Sequence, residues 1–303
     1  MRIAFAGTPI AAVPTLTALL ASDHEVALVV TRPDAPAGRG RTLTASPVAE
    51  VAGVSGVPVL KTSHLAEHKD KFADVDCVVV VAFGAMVPRE LLDVPKHGWI
   101  NVHFSLLPRW RGAAPIQRAL MAGDEKTGVT IMQIVHKLDA GDMLHKEEYV
   151  IDSRDTASDL HDKLAKLGAT GLSKVLAGLV AGQVLIEAQD ECLVTYAEKL
   201  SKNEAMIDWS QTANKLELKV RGLNSWPVAQ TIYQDKVLRI WQAQALATEI
   251  DLDPGRVSCT NKNMDVATGK GVLRLHEVQL PGGKRMSSQA FLNAHDIDGV
   301  KLG

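Results

Sequence analysis

A chain of 303 residues exceeds the size at which one hydrophobic core stops growing, so two domains are expected. An apolar fraction of 46% suffices for burial, while a formal net charge of −2 excludes whole-surface attraction to nucleic acid and leaves any RNA contact to local basic patches. Cys77, Cys192 and Cys259 are odd in number, far apart and without a Cys-x-x-Cys pair; they read as reduced thiols.

The chain passes from Met1-Arg2 directly into the apolar Ile3-Ala4-Phe5-Ala6. With no cationic leader, cleavage site or membrane-spanning run there, a cytoplasmic protein with no membrane partner is expected. Residues 2–6 form a short buried strand by pattern. Gly7-Thr8-Pro9 turns it, and Pro14 suits the first turn of a helix ending near Leu20. A second strand follows at residues 25–31. This is a βαβ opening, yet it lacks Gly-x-Gly-x-x-Gly after the first strand and Gly-Lys-Ser/Thr anywhere, so dinucleotide and P-loop sites are disfavoured.

Residues 32–46 make an insertion far longer than a compact αβ connection needs. Arg32, Arg39 and Arg41 face only Asp34 in charge, and the glycines flanking Arg39 would let backbone approach a phosphate chain. A solvated loop and a nucleic-acid contact both fit that pattern. Ser46-Pro47 then reads as a helix cap followed by proline at the first helical position. Over residues 64–72, His64 and His68 are spaced for metal binding, but without a third ligand a solvated helix face is the simpler reading. The unbroken apolar run of residues 77–82 suits a strand covered on both faces.

Residues 99–103 form the next predicted strand, which runs into a loop containing Pro108 and Gly112. Alternation puts Asn101 and His103 on one face of it. An amide donor beside an imidazole can polarise a carbonyl, hold an oxyanion and move a proton, which is the equipment of acyl transfer. A strand-end histidine bonded to a backbone carbonyl is the plainer alternative. A third polar group stands in Leu138-Asp139-Ala140-Gly141-Asp142. A carboxylate near an imidazole favours its protonated form and can accept an amine's proton, though such clusters are also ordinary polar turns.

Helix 115–122 and strand 130–135 continue the alternation, giving a doubly wound α/β architecture with its ligand site beyond the carboxyl ends of the strands. A long amphipathic helix is expected at 156–182, interrupted at Gly168 and Gly171. The expected organisation is a catalytic domain over residues 1–186, a linker over 187–205 and a C-terminal domain over 206–303. In the last, short strands separated by Asp253-Pro254-Gly255, Thr268-Gly269-Lys270-Gly271 and Pro281-Gly282-Gly283 suggest a small β-barrel. Its 12 Lys and Arg exceed its 10 Asp and Glu, a weak pointer to RNA.

Asn101-x-His103-x-Ser105-Leu106-Leu107-Pro108, Arg111-Gly112-Ala113-Ala114-Pro115 and Leu138-Asp139-x-Gly141-Asp142 together resemble the active site of the folate-dependent formyltransferases. Gly7-Thr8-Pro9, the 36–41 arginine loop, residues 196–202, residues 220–224 and residues 281–286 extend the resemblance over essentially the whole chain. It points to the branch whose acceptor is initiator methionyl-tRNA.

The resemblance implies a Rossmann-like catalytic domain followed by an OB-like tRNA-binding domain. It implies 10-formyltetrahydrofolate as formyl donor, no metal, and action as a monomer. Asn101, His103 and Asp139 become the catalytic residues. Ser105, Leu106, Leu107 and Pro108 become folate contacts, residues 83–88 part of the folate pocket wall, and Arg39 and Arg41 tRNA contacts. Ser225 departs from the pattern, standing where proline is common in Asn-x-Trp-Pro. The alternatives are formylation of a sugar nucleotide or glycinamide ribonucleotide, and a noncatalytic RNA-binding protein on the same scaffold.

Overall fold

A computed structural model describes residues 1–303 apart from 38, 39, 41, 249 and 261. The described residues divide into two compact units. One comprises Met1–Pro115, Lys126–Val150 and His161–Ala197, the other Ile116–Glu125, Ile151–Leu160 and Glu198–Gly303.

The first unit is built on a seven-stranded sheet: β1 (Arg2–Gly7), β2 (Glu25–Thr31), β3 (Val59–Lys61), β4 (Cys77–Val81), β5 (Trp99–His103), β6 (Lys126–Gln133) and β7 (Met143–Val150). Its spatial order is β7-β6-β5-β4-β1-β2-β3. The five strands from β3 to β5 are parallel, and β6 and β7 add antiparallel edges. Strand order therefore reverses between β1 and β4, the position where doubly wound sheets open a crevice at their carboxyl ends. All five residues of β4 are buried, as an apolar run covered on both faces must be.

Local sequence signals account for the flanking helices. Pro14 sits in the first turn of α1 (Val13–Leu20). At α2 (Pro47–Val54), the Ser46 hydroxyl accepts a hydrogen bond from the Ala49 N–H, while Pro47 occupies a position whose N–H would have no helical partner. Within the 32–46 insertion, Ala35–Ala37 pairs antiparallel with Thr42–Thr44. Helix α3 (Pro115–Ala122) matches its sequence expectation.

Helix α4 (Ala157–Ala181) runs unbroken through Gly168 and Gly171, contrary to the expected interruption. A Cβ at Gly168 would lie 2.6 Å from Val102 Cγ1, so this glycine admits the helix close to the sheet and breaks nothing. The helix is long and apolar enough to cross a membrane by composition. Leu164, Ala165, Leu172, Val175 and Leu176 are nevertheless buried within the protein, as befits a core helix.

The second unit carries a curled antiparallel sheet: β8 (Ala229–Tyr233), β9 (Lys236–Leu246), β10 (Val257–Cys259), β11 (Met264–Ala267), β12 (Val272–Gln279) and β13 (Met286–Ser287). The order is β8-β9-β12-β11-β10, with β13 on β12, in keeping with an OB-like half-barrel. Gln234 and Asp235, both at positive φ, turn β8 into β9 as a two-residue hairpin of that twist demands. Leu238, Ile240, Val257, Met264, Val266, Leu273, Leu275 and Val278 fill its interior. Arg221 donates to the carbonyls of Asp152 and Asp155, and Arg118 pairs with Glu204, binding the discontinuous segments into this unit.

Candidate active site

Strand β5 is laddered on both sides, to β4 through Val78, Val79 and Val80 and to β6 through residues 130–133, so its exit is held rigidly. Asn101 and His103 both line a cavity of about 590 Å³. Its walls include Phe83, Ala85, Met86 and Val87 from the exit of β4, Gly112 and Ala113, and Leu138 and Asp139. Apolar walls with a few converging polar groups are the usual character of a small-molecule site, and the volume falls in the usual range.

His103 is only 5% exposed, and its Nε2 lies 2.9 Å from the Trp110 carbonyl. A carbonyl can only accept, so Nε2 carries a hydrogen and donates it. The remaining ring nitrogen, Nδ1, lies 3.8 Å from Asp139 Oδ2, an ion-pair separation too long for a direct hydrogen bond. The plainer sequence alternative, a histidine bonded to backbone carbonyl, is thus realised at Nε2. It orients the ring and leaves Nδ1 for chemistry.

Asp139 adopts φ 46°, a left-handed conformation that aspartate tolerates better than most residues. Its Oδ2 accepts the Gly112 N–H at 2.8 Å, and its carbonyl accepts from Gln189 Nε2 at 2.8 Å. Two glycines are obligatory here. Gly112 stands at φ 122°, and a Cβ there would come 2.7 Å from the Ala197 carbonyl oxygen; at Gly141 it would come 1.9 Å from that of Gln133. Gly112 is held in place by parallel pairing of Arg111 and Gly112 with Tyr196 and Ala197.

The sequence matches the formyl transferase family over residues 1–176 and the formyl transferase C-terminal domain over residues 199–296. The chain belongs to the formyltransferase family. This formyltransferase is 52% identical over 307 residues to the methionyl-tRNA formyltransferase of Methylococcus capsulatus, covering all of both chains. It is 45% identical to that of Coxiella burnetii over 300 residues, covering 97% of this chain and 96% of the other. Among solved structures, the N-formyltransferase from Helicobacter canadensis with folinic acid and dTDP-3-aminofucose gives a TM-score of 0.72 at 16% identity, covering 94% of this chain and 100% of that one. The phosphoribosylglycinamide formyltransferase of Anaplasma phagocytophilum gives 0.52 at 20% identity, covering 65% and 99%. At such identities these two establish the shared fold.

Of the residues singled out in sequence, the formyltransferase brings Asn101, His103 and Asp139 to one cavity. Ser105, Leu106, Leu107 and Pro108 do not line it. Ser105 is fully buried and its hydroxyl donates to the Arg109 carbonyl, while Leu107 packs with Met132 and Met143. Thr130 Oγ1 accepts the Leu107 N–H and donates to the Ser105 carbonyl, so this segment shapes the Phe104–Trp110 turn from behind. Leu107 is part of the turn's own core, while Leu106 and Pro108 are half-buried. Residues 83–87, by contrast, do form cavity wall. Arg39 and Arg41 lie outside the described residues.

Sequence reasoning places Arg111 in a motif without giving it a role and does not single out Gln189 at all. Arg111 is 0% exposed; its Nε donates to Gln189 Oε1 at 2.9 Å and its Nη2 to Glu191 Oε1 at 2.8 Å. The hydrogen bonds from Arg111 and then Lys137 hold the Glu191 carboxyl down at about 2. A stretch read as linker, residues 187–197, belongs to the first unit, anchored by reciprocal backbone bonds between Glu187 and Met143.

Proposed function

We propose that this enzyme transfers the formyl group of 10-formyltetrahydrofolate to the α-amino group of methionine carried on initiator tRNA, a step of translation initiation in the cytoplasm. Convergence of Asn101, His103 and Asp139 on one apolar-walled cavity supports the chemistry. The acceptor is supported by full-length identity of 52% to a methionyl-tRNA formyltransferase. The cavity walls at Phe83, Ala85, Met86 and Val87 offer the apolar surface a pterin ring needs.

The neutral amine attacks the formyl carbon, and the carbonyl oxygen becomes an oxyanion. Asn101 donates its side-chain N–H to that oxygen. His103 has already committed Nε2–H to Trp110, so it can donate to the oxyanion only as the imidazolium, through Nδ1–H. Asp139, whose Oδ2 lies 3.8 Å from Nδ1, receives the proton released by the amine, directly or through a water. Collapse of the intermediate breaks the bond to the folate nitrogen, which takes up, directly or through a water, the proton that Asp139 received.

In this reading the 32–46 insertion meets the acceptor stem of the tRNA through Arg39 and Arg41, and the OB-like unit adds tRNA affinity. Arg39→Ala is expected to weaken productive tRNA use by roughly 1–3 kcal/mol if the guanidinium reads a base, and by less if it meets only phosphate. The deciding experiment supplies 10-formyltetrahydrofolate with methionyl-tRNA, a UDP-amino sugar or glycinamide ribonucleotide. Formylation of methionyl-tRNA alone is expected; preference for either small acceptor would overturn the acceptor assignment.

A further inference from the structure

Asp139 is a non-glycine residue in a left-handed conformation, a state that persists only where surrounding contacts fix it. One side chain supplies much of that fixation. Gln189 Nε2 donates to the carbonyls of both Asp139 and Gly141, each at 2.8 Å, and so grips the loop on both sides of Ala140. Its Oε1 accepts from Arg111 Nε at 2.9 Å. The amide has only one possible orientation, because a guanidinium can only donate and the two carbonyls can only accept.

Arg111 is itself locked. It is wholly buried, Glu191 binds its Nη2, and the other oxygen of Glu191 takes Lys137 Nζ at 2.6 Å, two residues before Asp139. The residue after Arg111 is Gly112, whose N–H binds Asp139 Oδ2. One short segment therefore holds the carboxylate directly and holds its backbone through Gln189.

We propose that Gln189 is a positioning residue for formyl transfer, keeping the Asp139 carboxylate aimed at Nδ1 of His103. The proposal rests on the reading of Asp139 as proton acceptor. It touches neither substrate nor reacting atoms; its effect passes entirely through the loop. Loosening such a grip by an ångström is worth up to about 100-fold in rate.

The test is a double-mutant cycle with Gln189→Glu and Asp139→Asn, read as single-turnover formylation of methionyl-tRNA. Gln189→Glu keeps the Arg111 contact and sets an acceptor against both loop carbonyls. It is expected to lower the rate about 10–100-fold in the wild-type background and less than about twofold beside Asp139→Asn, with tetrahydrofolate affinity unchanged within about twofold. Equal losses in both backgrounds, no loss at all, or a loss confined to tetrahydrofolate affinity would overturn the positioning role alone. An Asp139→Asn enzyme of undiminished rate would overturn the site reading and this proposal with it. Should Gln189→Glu not fold, Gln189→Met, of similar length and without donors, enters the same cycle with the same expectations.

Discussion

His103 Nδ1 and Asp139 Oδ2 stand 3.8 Å apart, close enough for charge to act and too far for a proton to be shared directly. The gap has a structural origin. His103 is pinned from its far side by the Trp110 carbonyl, and Asp139 by the Gly112 N–H, so neither can swing toward the other without giving up a hydrogen bond. The two groups therefore face one another across the cavity without a direct hydrogen bond between them.

Replacing any member of this group is expected to cost about two to four orders of magnitude in turnover, the range for losing an oxyanion donor or an acid/base group. Asn101→Ala and Asp139→Asn are expected to stay folded. His103→Ala also strips the Trp110 carbonyl of its partner and should lose roughly 1–3 kcal/mol of stability. Turnover on methionyl-tRNA paired with urea unfolding separates the two effects. A variant of near-normal turnover would remove its residue from the mechanism.

The thiols are expected to react in a fixed order. Burial, aided by Asp76, pushes the Cys77 thiol up to about 12, and burial with the carboxylates of Asp298, Asp296 and Asp265 pushes Cys259 up to about 11. Cys192 is exposed. Since the thiolate is the nucleophile, iodoacetamide near pH 8 should label Cys192 first, Cys259 slowly and Cys77 only on unfolding. Peptide mapping over a time course reads the order directly.

What the sequence discloses here is mostly local. Trp99–His103 and Pro115–Ala122 are read at their observed bounds because apolar pattern, proline and glycine act over a few residues. Asn101, His103 and Asp139 are legible as chemistry because their types are unusual at strand ends and turns. Gln189 is not, since it acts on Asp139 across 50 residues and carries no motif. Gly168 misleads for a related reason: in sequence it reads as a helix breaker, and only the sheet packed against it reveals that the missing Cβ is what the helix needs. The burial of Leu107 against Met132 and Met143 is likewise a property of the folded turn that its sequence neighbours do not display.

Glu191 offers a pH test of the support behind the site. Its folded-state value of about 2 lies below the ordinary 4.5, set first by the Arg111 hydrogen bond and then by Lys137. A depressed carboxyl contributes stability that is fully present above its unfolded value and fades as pH falls toward its folded one. Wild type should therefore be more stable than Glu191→Gln at pH 7 by a margin constant down to about 4.5 and shrinking below it. Because Glu191 is exposed, the margin is screened and should narrow with salt. Urea midpoints at pH 7, 5 and 3.5 test this; a margin that grows on acidification contradicts the assigned ion pairs.

The turn behind His103 depends on one hydroxyl. Thr130 is fully buried, and its Oγ1 accepts the Leu107 N–H at 3.0 Å while donating to the Ser105 carbonyl at 2.7 Å. Thr130→Val preserves shape but leaves both backbone groups buried and unpaired, a loss of roughly 2–4 kcal/mol. For a unit of this size that corresponds to about 5–15 °C in Tm. Thr130→Ser keeps the hydroxyl and gives up one methyl group, about 1 kcal/mol. The same turn carries the Trp110 carbonyl that orients His103, so Thr130→Val should also lower turnover while Thr130→Ser largely retains it. Thermal unfolding and turnover measured on the pair check both halves, and equal behaviour of the two variants would mean that the hydroxyl is not what holds the turn.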